Sequence, residues 1–581
     1  MLLPTRKLSL VCAFVLTLLF SAGAQPVSED LPTVTGCLAL TNAKVVTAPG
    51  QAPMTADVII RDGLITGLGS HLQIPADAYR IPADSFYVYP AFIDAFSSIG
   101  IKEPEEGGPS GTQGPLNRGG QKPVIDAEGN PPLEDAGITP FRSVRLTFDP
   151  KEKSISEWRA HGFAVAHSVP KGKMIPGKGS LVILSGDNTD HMLWKEDVSM
   201  YGQWSGAGGG YPATVIGIMA KWRELYHNAT QAMTQQAAYD HASMVTRPDF
   251  NQAHVALIPV VNQEMPLYFR AAKMRDISRA LALQKDLGMK MVIADAEEAW
   301  YEKEMFAPGS QIGLILSTEL PEDKGEKEKK TEAAAADSVK TDPEKAAFEQ
   351  RRLESLNLHR QQAAILAKDG VVFSLGTMSC KAGDFLPNVR TMIEQGLTAD
   401  QALAALTTTP AKLLQIDKYC GTVATGKMAN LIVSTKPIFA SEAAIRYMVV
   451  EGQLYDYPVK EKKKANPKSS DHAAPGALTG KWKYTIDAPD QKREGIFEFA
   501  DSDGSITGTM TSEDITTGNN ELEDIVMDGH HVSFIFDFDM GGQMVALEFD
   551  LNVDGESFDG TVTVGSFGSF PIAGQRISKP D

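Results

Sequence analysis

Short strands and tight turns dominate the first part of the chain. Residues 38–88 contain runs such as ADVII and LITGLG, in which apolar and polar positions alternate, with the Asp62-Gly63 pair between them. Alternation on both sides of an Asp-Gly pair is typical of a β-hairpin. The pattern therefore predicts the first half of a β-sandwich over residues 31–89.

A different pattern occupies residues 90–416. Apolar, strand-like runs such as HVALIPVV, PLYFRA and MVIAD alternate with stretches of helical character. Continuous apolar strands that are each followed by a helix indicate a parallel sheet covered on its outside. We therefore expect an α/β fold, a (β/α)8 TIM-like barrel. Inside it, residues 321–352 are rich in Lys, Glu and Ala, which predicts a disordered or helical insertion.

Strand patterning returns after the barrel. Residues 417–457 contain GTVATGKMANLIV and IRYMVVEGQLYDY, and these runs are predicted to form the second half of the split sandwich. Residues 458–476 are rich in Lys, Pro, Ser and Ala and read as a linker. Residues 477–581 contain short alternating runs separated by Asp-Gly pairs, which predicts a small antiparallel all-β barrel or sandwich.

The start of the chain has the layout of a secretory signal. Arg6 and Lys7 precede an apolar run over residues 8–20, and small residues at 22–24 follow it. We expect a signal peptide over residues 1–24 that is cleaved, leaving a periplasmic or secreted protein. No later stretch reaches the roughly 18 apolar residues of a membrane-spanning helix.

The net charge of the chain excludes some classes of binding partner. The net charge is −18, and it becomes −20 when the two basic residues of the signal are removed. Such an acidic protein is predicted to bind neither nucleic acid nor an anionic membrane.

Cys37, Cys380 and Cys420 would remain after cleavage, so at most one disulfide could form, although small buried thiols are favoured.

Several ordered motifs resemble the amidohydrolase superfamily. VYPAFIDAFSSIG resembles its first barrel strand, where PGFIDxHxHxG is usual, and FLPNVRTMIEQGLTADQALAALTTTPAKLLQI resembles its final helices. The likeness covers residues 38–457 and is greatest for the imidazolonepropionase-like branch. It implies metal-dependent hydrolysis of non-peptide C–N bonds, with a divalent ion activating water.

The residues at the family's catalytic positions are different in this chain. Phe96 and Ser98 stand where the first strand would supply two His ligands, and Arg270 stands where a later strand would supply another. Ala294 and Asp295 replace a further His, and Met378 replaces the proton-transferring Asp. The resemblance thus predicts a degraded metal site. No cofactor is expected, and zinc or another divalent metal would bind only if the site were rebuilt from other residues.

A new site could still form at the predicted barrel mouth, where such folds place their chemistry. Polar candidates near strand ends are Asp94, Ser98, His167, Arg270, Asp295, Glu297 and Cys380. For substrate binding we single out Arg270, His167 and Asp295. Arg270 could pair internally with Asp295 or Asp94, which is favoured, or bind an anionic carboxylate. His167 is expected to have a structural role more often than a ligand role. Cys380 could act as a nucleophile only beside a base.

These observations leave three hypotheses. The preferred one is a noncatalytic amidohydrolase-like protein that acts as a binding subunit, as a homo-oligomer or as the partner of an active relative. The second is an active exported amidohydrolase that cleaves an amide, a cyclic amide or a small peptide-like substrate through a recruited site. The third is binding of a ligand or partner by the C-terminal β domain.

Overall fold

A computed structural model describes two compact units, Met1–Val459 and Lys460–Asp581. In the first unit the described residues are 36–102, 131–207, 210–241, 246–321 and 343–458. In the second they are 478–487, 492–502, 505–512, 522–528, 530–539, 544–564 and 568–578. The predicted signal peptide, nearly all of the predicted linker, and residues 322–342 of the predicted insertion lie outside these ranges. Residues 343–352 of that insertion belong to a helix.

The split β unit is a single eight-stranded sheet. Its first half contains β1 (Cys37–Val45), β2 (Met54–Arg61), β3 (Leu64–Gly69), β4 (Tyr79–Pro82) and β5 (Tyr87–Pro90). Its second half contains β14 (Leu431–Ser434), β15 (Ile445–Val450) and β16 (Gln453–Asp456). Antiparallel pairing of β5 with β14 joins the halves. Asp62 and Gly63 both have positive φ, 51° and 80°, as a two-residue hairpin turn requires.

The second sheet forms the barrel and also has eight strands in chain order. They are β6 (Phe92–Ser97), β7 (Phe163–Ser168), β8 (Gly177–Ile183), β9 (Leu193–Gln203), β10 (Leu267–Arg270), β11 (Met291–Ala296), β12 (Gly313–Ser317) and β13 (Ser374–Gly376). The amide of Thr377 donates to the carbonyl of Phe96 at 3.2 Å, which links the last strand to the first. The predicted barrel class is confirmed.

One barrel strand runs against the others. β8 pairs antiparallel with both β7 and β9, whereas the remaining neighbours are parallel. The physical reason is the short connection between β7 and β8, which contains no helix. A parallel return needs a crossover of about a dozen residues or more, so a short connection reverses the chain direction.

The helices of the first unit follow the strands. They are α1 (Lys153–Ala160), α2 (Thr189–Met192), α3 (Val215–His241), α4 (Gln252–Val261), α5 (Met274–Leu287), α6 (Pro343–Lys368), α7 (Ala382–Glu394), α8 (Ala399–Leu406) and α9 (Thr408–Leu413), with 3-10 turns at Val144–Leu146 and Ala299–Phe306. None of the described helices combines the length and apolar character needed to span a bilayer. Cys37, Cys380 and Cys420 are buried.

The strand expected in HVALIPVV is wrong, because this segment lies in α4. The side chain of Asn251 caps the helix by accepting from the amides of Ala253 and His254 at 3.0 and 3.1 Å. Ala253, Leu257 and Val260 are its buried residues, and this spacing is that of one helical face. The short apolar run itself suits either structure.

The C-terminal unit is an all-antiparallel sheet, as predicted. Its strands are β17 (Gly480–Asp487), β18 (Lys492–Ser502), β19 (Ser505–Ser512), β20 (Glu523–Asp528), β21 (His531–Asp539), β22 (Met544–Asp554), β23 (Ser557–Val564) and β24 (Gly568–Ser578). β17 pairs with β24, so the first and last strands are neighbours. Trp482, Phe497, Phe534 and Phe549 belong to the buried core between the strands. Aromatic side chains therefore fill the described interior.

Candidate functional site

An aromatic cluster occupies the barrel interior where the resemblance placed a metal ligand. The ring of Phe96 on β6 lies 5.4 Å from that of Tyr201 on β9 and 6.4 Å from that of Tyr268 on β10. The imidazole of His167 on β7 packs edge-on against Tyr268 at 4.5 Å. All four side chains are buried. Because protein interiors are close-packed, these rings exclude other groups from the volume they fill.

His167 and Ser199 form a hydrogen-bonded pair that is closed to solvent. Its Nδ1 lies 3.0 Å from the carbonyl oxygen of Ala95, so this nitrogen donates, and its Nε2 accepts from the hydroxyl of Ser199 at 2.7 Å. A hydroxyl beside a neutral imidazole is a nucleophile–base arrangement. However, both residues are 0% exposed, so no substrate reaches them in this conformation. Burial lowers the pKa of His167 to about 4, which keeps the ring neutral.

Asp94 joins the two ends of the barrel sheet. One carboxylate oxygen accepts from the amides of Phe96, at 3.0 Å, and Thr377, at 3.3 Å, and the other accepts from the Thr377 hydroxyl. The side chain is fully buried, and burial raises its pKa to about 7 although these hydrogen bonds oppose the change. Its partners assign Asp94 to barrel closure.

Arg270, Asp295 and Ser379 form a polar network at the carboxyl ends of the strands. Arg270 Nε donates to Asp295 Oδ2 at 2.8 Å, and Arg270 Nη2 donates to the Ser379 hydroxyl at 2.9 Å. That hydroxyl donates to Asp295 Oδ2 at 2.6 Å. The Arg270 side chain is 37% exposed, whereas that of Asp295 is 1% exposed. Of the two pairings considered for Arg270, the structure forms the one with Asp295.

Asp295 is also unusual in its backbone. Its φ is +59°, a left-handed conformation that non-glycine residues seldom adopt. Its second carboxylate oxygen, Oδ1, is buried and has no hydrogen-bond partner among the described residues. Strained residues with unsatisfied polar atoms cluster at functional sites. Asp295 is therefore the sequence candidate with the most functional character.

The other candidates take no part in the hydrogen bonds of this network. Ser98 follows β6 and is half-buried, and Met378 packs against the barrel core. Glu297 follows β11 and pairs with Lys273, with 2.5 Å between its Oε2 and Nζ. Burial raises the pKa of the Cys380 thiol to about 11. Because the thiolate is the nucleophilic form, this environment disfavours reactivity of Cys380.

The residues at this position do not fit the divalent ion that the resemblance implies. A phenyl ring at position 96 has no donor atom, and the guanidinium of Arg270 is a permanent cation. Across the described residues, no three His, Cys, Asp or Glu side chains are arranged to hold a metal ion. We therefore derive no catalytic step through a metal.

Sequence reasoning missed the residues that complete these contacts. Tyr268 precedes Arg270 by two positions and Ser199 precedes Tyr201 by two, so each pair shares one side of its strand. This alternation of side chains along a strand was the sequence signal from which Tyr268 and Ser199 could have been identified. Thr377 and Ser379 flank Met378 directly after β13 and could have been found by examining both of its neighbours.

Comparison with known proteins supports the fold. Residues 270–455 match the model of the amidohydrolase family. An amidohydrolase from Thermotoga maritima MSB8 is 19% identical, with a TM-score of 0.56, over 72% of this chain and 100% of its own. An L-hydantoinase (dihydropyrimidinase) from Arthrobacter aurescens is 12% identical, with a TM-score of 0.39, over 73% of this chain and 97% of its own. No curated protein sequence matches the chain.

Proposed function

We propose that this chain is an amidohydrolase-fold protein that has lost metal-dependent hydrolysis of C–N bonds and has a binding role. The observation that carries the proposal is the packing of Phe96 against Tyr201 and Tyr268 inside the barrel. Metal-dependent hydrolysis requires a coordinated ion with a position open for water or substrate. The Phe96 ring has no donor atom, and the packed rings leave no open position. Burial raises the pKa of Tyr201 and Tyr268, which keeps their phenols protonated and makes them poor metal ligands.

The charge at the mouth supports the same proposal. Arg270 brings a fixed positive charge to a position where the family would bind a cation, and Asp295 balances it at 2.8 Å. An ion pair of this kind holds the mouth in one arrangement without a metal. Of the three residues proposed for substrate binding, His167 and Asp295 are buried and only Arg270 is accessible. A ligand at the mouth would therefore contact Arg270.

Metal analysis of the purified protein tests the proposal. The full chain would be produced in zinc-supplemented medium, and a second sample would be incubated with excess zinc and desalted. We expect far less than one bound ion per chain in both samples by plasma mass spectrometry, and no turnover of a panel of amides and cyclic amides. About one ion per chain, together with hydrolysis that a chelator abolishes, would overturn the proposal.

The active alternative makes a different prediction for the same panel. A recruited site would give hydrolysis that persists in chelator and falls when Arg270 is changed to Gln. This variant keeps a polar side chain of similar length but removes the charge. Metal-independent turnover that responds to Arg270→Gln would replace the noncatalytic proposal with the recruited-site hypothesis.

Three finer assignments belong to this proposal. We propose placement in the imidazolonepropionase-like branch, export to the periplasm or medium, and association with an active relative or a second copy. Export is tested by sequencing the N-terminus of the mature protein, which should begin after residue 24. Binding through the C-terminal domain would use its outer surface, because aromatic and aliphatic side chains fill its described interior. Shortening the chain at residue 458 should then abolish that binding.

A further inference from the structure

A groove lies on the face of the barrel where β10 and β12 end. Its volume is about 700 Å³, which falls within the roughly 300–1,000 Å³ that is usual for ligand pockets. Lys273, after β10, and Pro321, after β12, line one side. One face of α6 lines the other side, through Phe348, Arg351, Arg352, Ser355, Leu356 and His359. The carboxyl-terminal face is where barrels of this class bind their ligands.

The charged residues that line this groove are all basic. Lys273, Arg351 and Arg352 carry fixed positive charges, and among the described lining residues there is no Asp or Glu. Three carboxylates outside the lining pair with it. Glu297 and Glu298 lie 2.5 and 3.7 Å from Lys273, and Glu349 lies 3.0 Å from Arg352. Glu298 also lies 3.3 Å from the Nε2 of His359. Within the described part of the chain Arg351 forms no salt bridge, so its positive charge is the one in the lining most available to an anion.

The rest of the groove wall is apolar. Phe348 is 59% exposed although it is a large aromatic residue. Phe348 neighbours Arg351 and Arg352 on the helix surface, because positions three and four residues apart lie on one side of a helix. Leu356 and Pro321 extend the apolar wall. The groove thus presents cations beside an apolar surface, which suits a ligand with an anionic head and a hydrocarbon body.

We propose that this groove binds a small, soluble monocarboxylate with an apolar chain. The carboxylate accepts hydrogen bonds from Arg351 and Arg352, and the chain lies along Phe348 and Leu356. Arginine suits this role because its planar guanidinium can donate two parallel hydrogen bonds to one carboxylate. The inference goes beyond the proposed function, since it uses neither the barrel interior nor Arg270.

Calorimetric titration of the full chain with monomeric decanoate tests the proposal, with decylamine as the ligand of opposite charge. Decanoate should bind and decylamine should not. The double variant Arg351→Gln and Arg352→Gln should weaken decanoate binding at least about tenfold, because charge-assisted hydrogen bonds are lost. Phe348→Ser should weaken it about fivefold through lost apolar contact. Arg360→Gln, on the same helix but outside the groove lining, is the matched control and should bind normally.

A second variant keeps the test decisive if the double variant folds poorly. Ser355→Glu places a carboxylate in the groove and should abolish decanoate binding while circular dichroism stays unchanged. The proposal is overturned if decanoate does not bind, if decylamine binds equally well, or if the groove variants bind like the control. Binding to phosphatidylglycerol vesicles without binding of free decanoate would also overturn it, in favour of a membrane surface. None of these results alters the metal content, so the two proposals fail separately.

Discussion

Two buried groups in the barrel should make opposite contributions to the pH dependence of stability. Asp94 has a pKa of about 7 in the folded protein, against 3.8 for an ordinary carboxyl group. Between these values the unfolded chain releases the proton and the folded chain retains it, so the free energy of unfolding falls as pH rises. His167 has a pKa of about 4, against 6.5. Between those values the unfolded chain gains a proton that the folded chain rejects, so the free energy of unfolding falls as pH falls.

The expected magnitudes follow from these values. A tenfold change in proton affinity corresponds to about 1.4 kcal/mol. When the pH rises from 4.5 to 7.5, Asp94 should therefore lower the free energy of unfolding by about 3 kcal/mol. When the pH falls from 7.5 to 4.5, His167 should lower it by about 3 kcal/mol. In the unmodified protein the two contributions nearly cancel. Each single variant should expose the contribution of the other group.

Urea unfolding of three proteins at pH 4.5 and pH 7.5 measures the effect. Relative to the unmodified chain, the free energy of unfolding of Asp94→Asn should increase by about 3 kcal/mol as the pH is raised. That of His167→Gln should increase by about 3 kcal/mol as the pH is lowered. Other titrating groups are common to all three proteins and drop out of the differences. Lost hydrogen bonds shift each variant by a constant amount. A difference between Asp94→Asn and the unmodified chain that stays constant across this range would refute a neutral, buried Asp94.

Three further predictions concern packing and pairing. Gly179→Ala should destabilise the first unit by about 1–3 kcal/mol in urea unfolding, because the added Cβ would lie 2.5 Å from His167 Nε2; an unchanged midpoint would contradict this packing. Arg270→Met should cost about 2 kcal/mol by leaving the Asp295 charge unpaired, less than for a fully buried pair because Arg270 is partly exposed. Adding Asp295→Asn should recover most of the loss, because Asn removes the charge and tolerates the positive φ of this position. Trp482→Ala should cost about 3–5 kcal/mol in the C-terminal unit alone, so calorimetry should show one transition moving and the other unchanged.

Much of the architecture was predictable from sequence. Alternation and Asp-Gly turns predicted the strands at both ends, because side chains on a strand alternate between two faces and Asp-Gly suits a tight hairpin turn. The substituted positions Phe96, Arg270 and Met378 were also visible, because they stand within ordered motifs. Two local assignments needed the structure: the reversed direction of β8 and the helix α4. A short apolar run does not distinguish a strand from a helix, and strand direction depends on the connection.

What the sequence determined by itself is the order of elements and the kinds of side chain at each barrel position. Only the tertiary structure decided their chemistry. Asp94 and its partner Thr377 are separated by 283 residues, and His167 and Ser199 by 32. The pKa of each buried group depends on the water it loses and the partners it gains, and both are set by packing between distant segments. Packing between distant segments also decides exposure at the mouth. Arg270 remains accessible, whereas Asp295, which balances its charge, is buried.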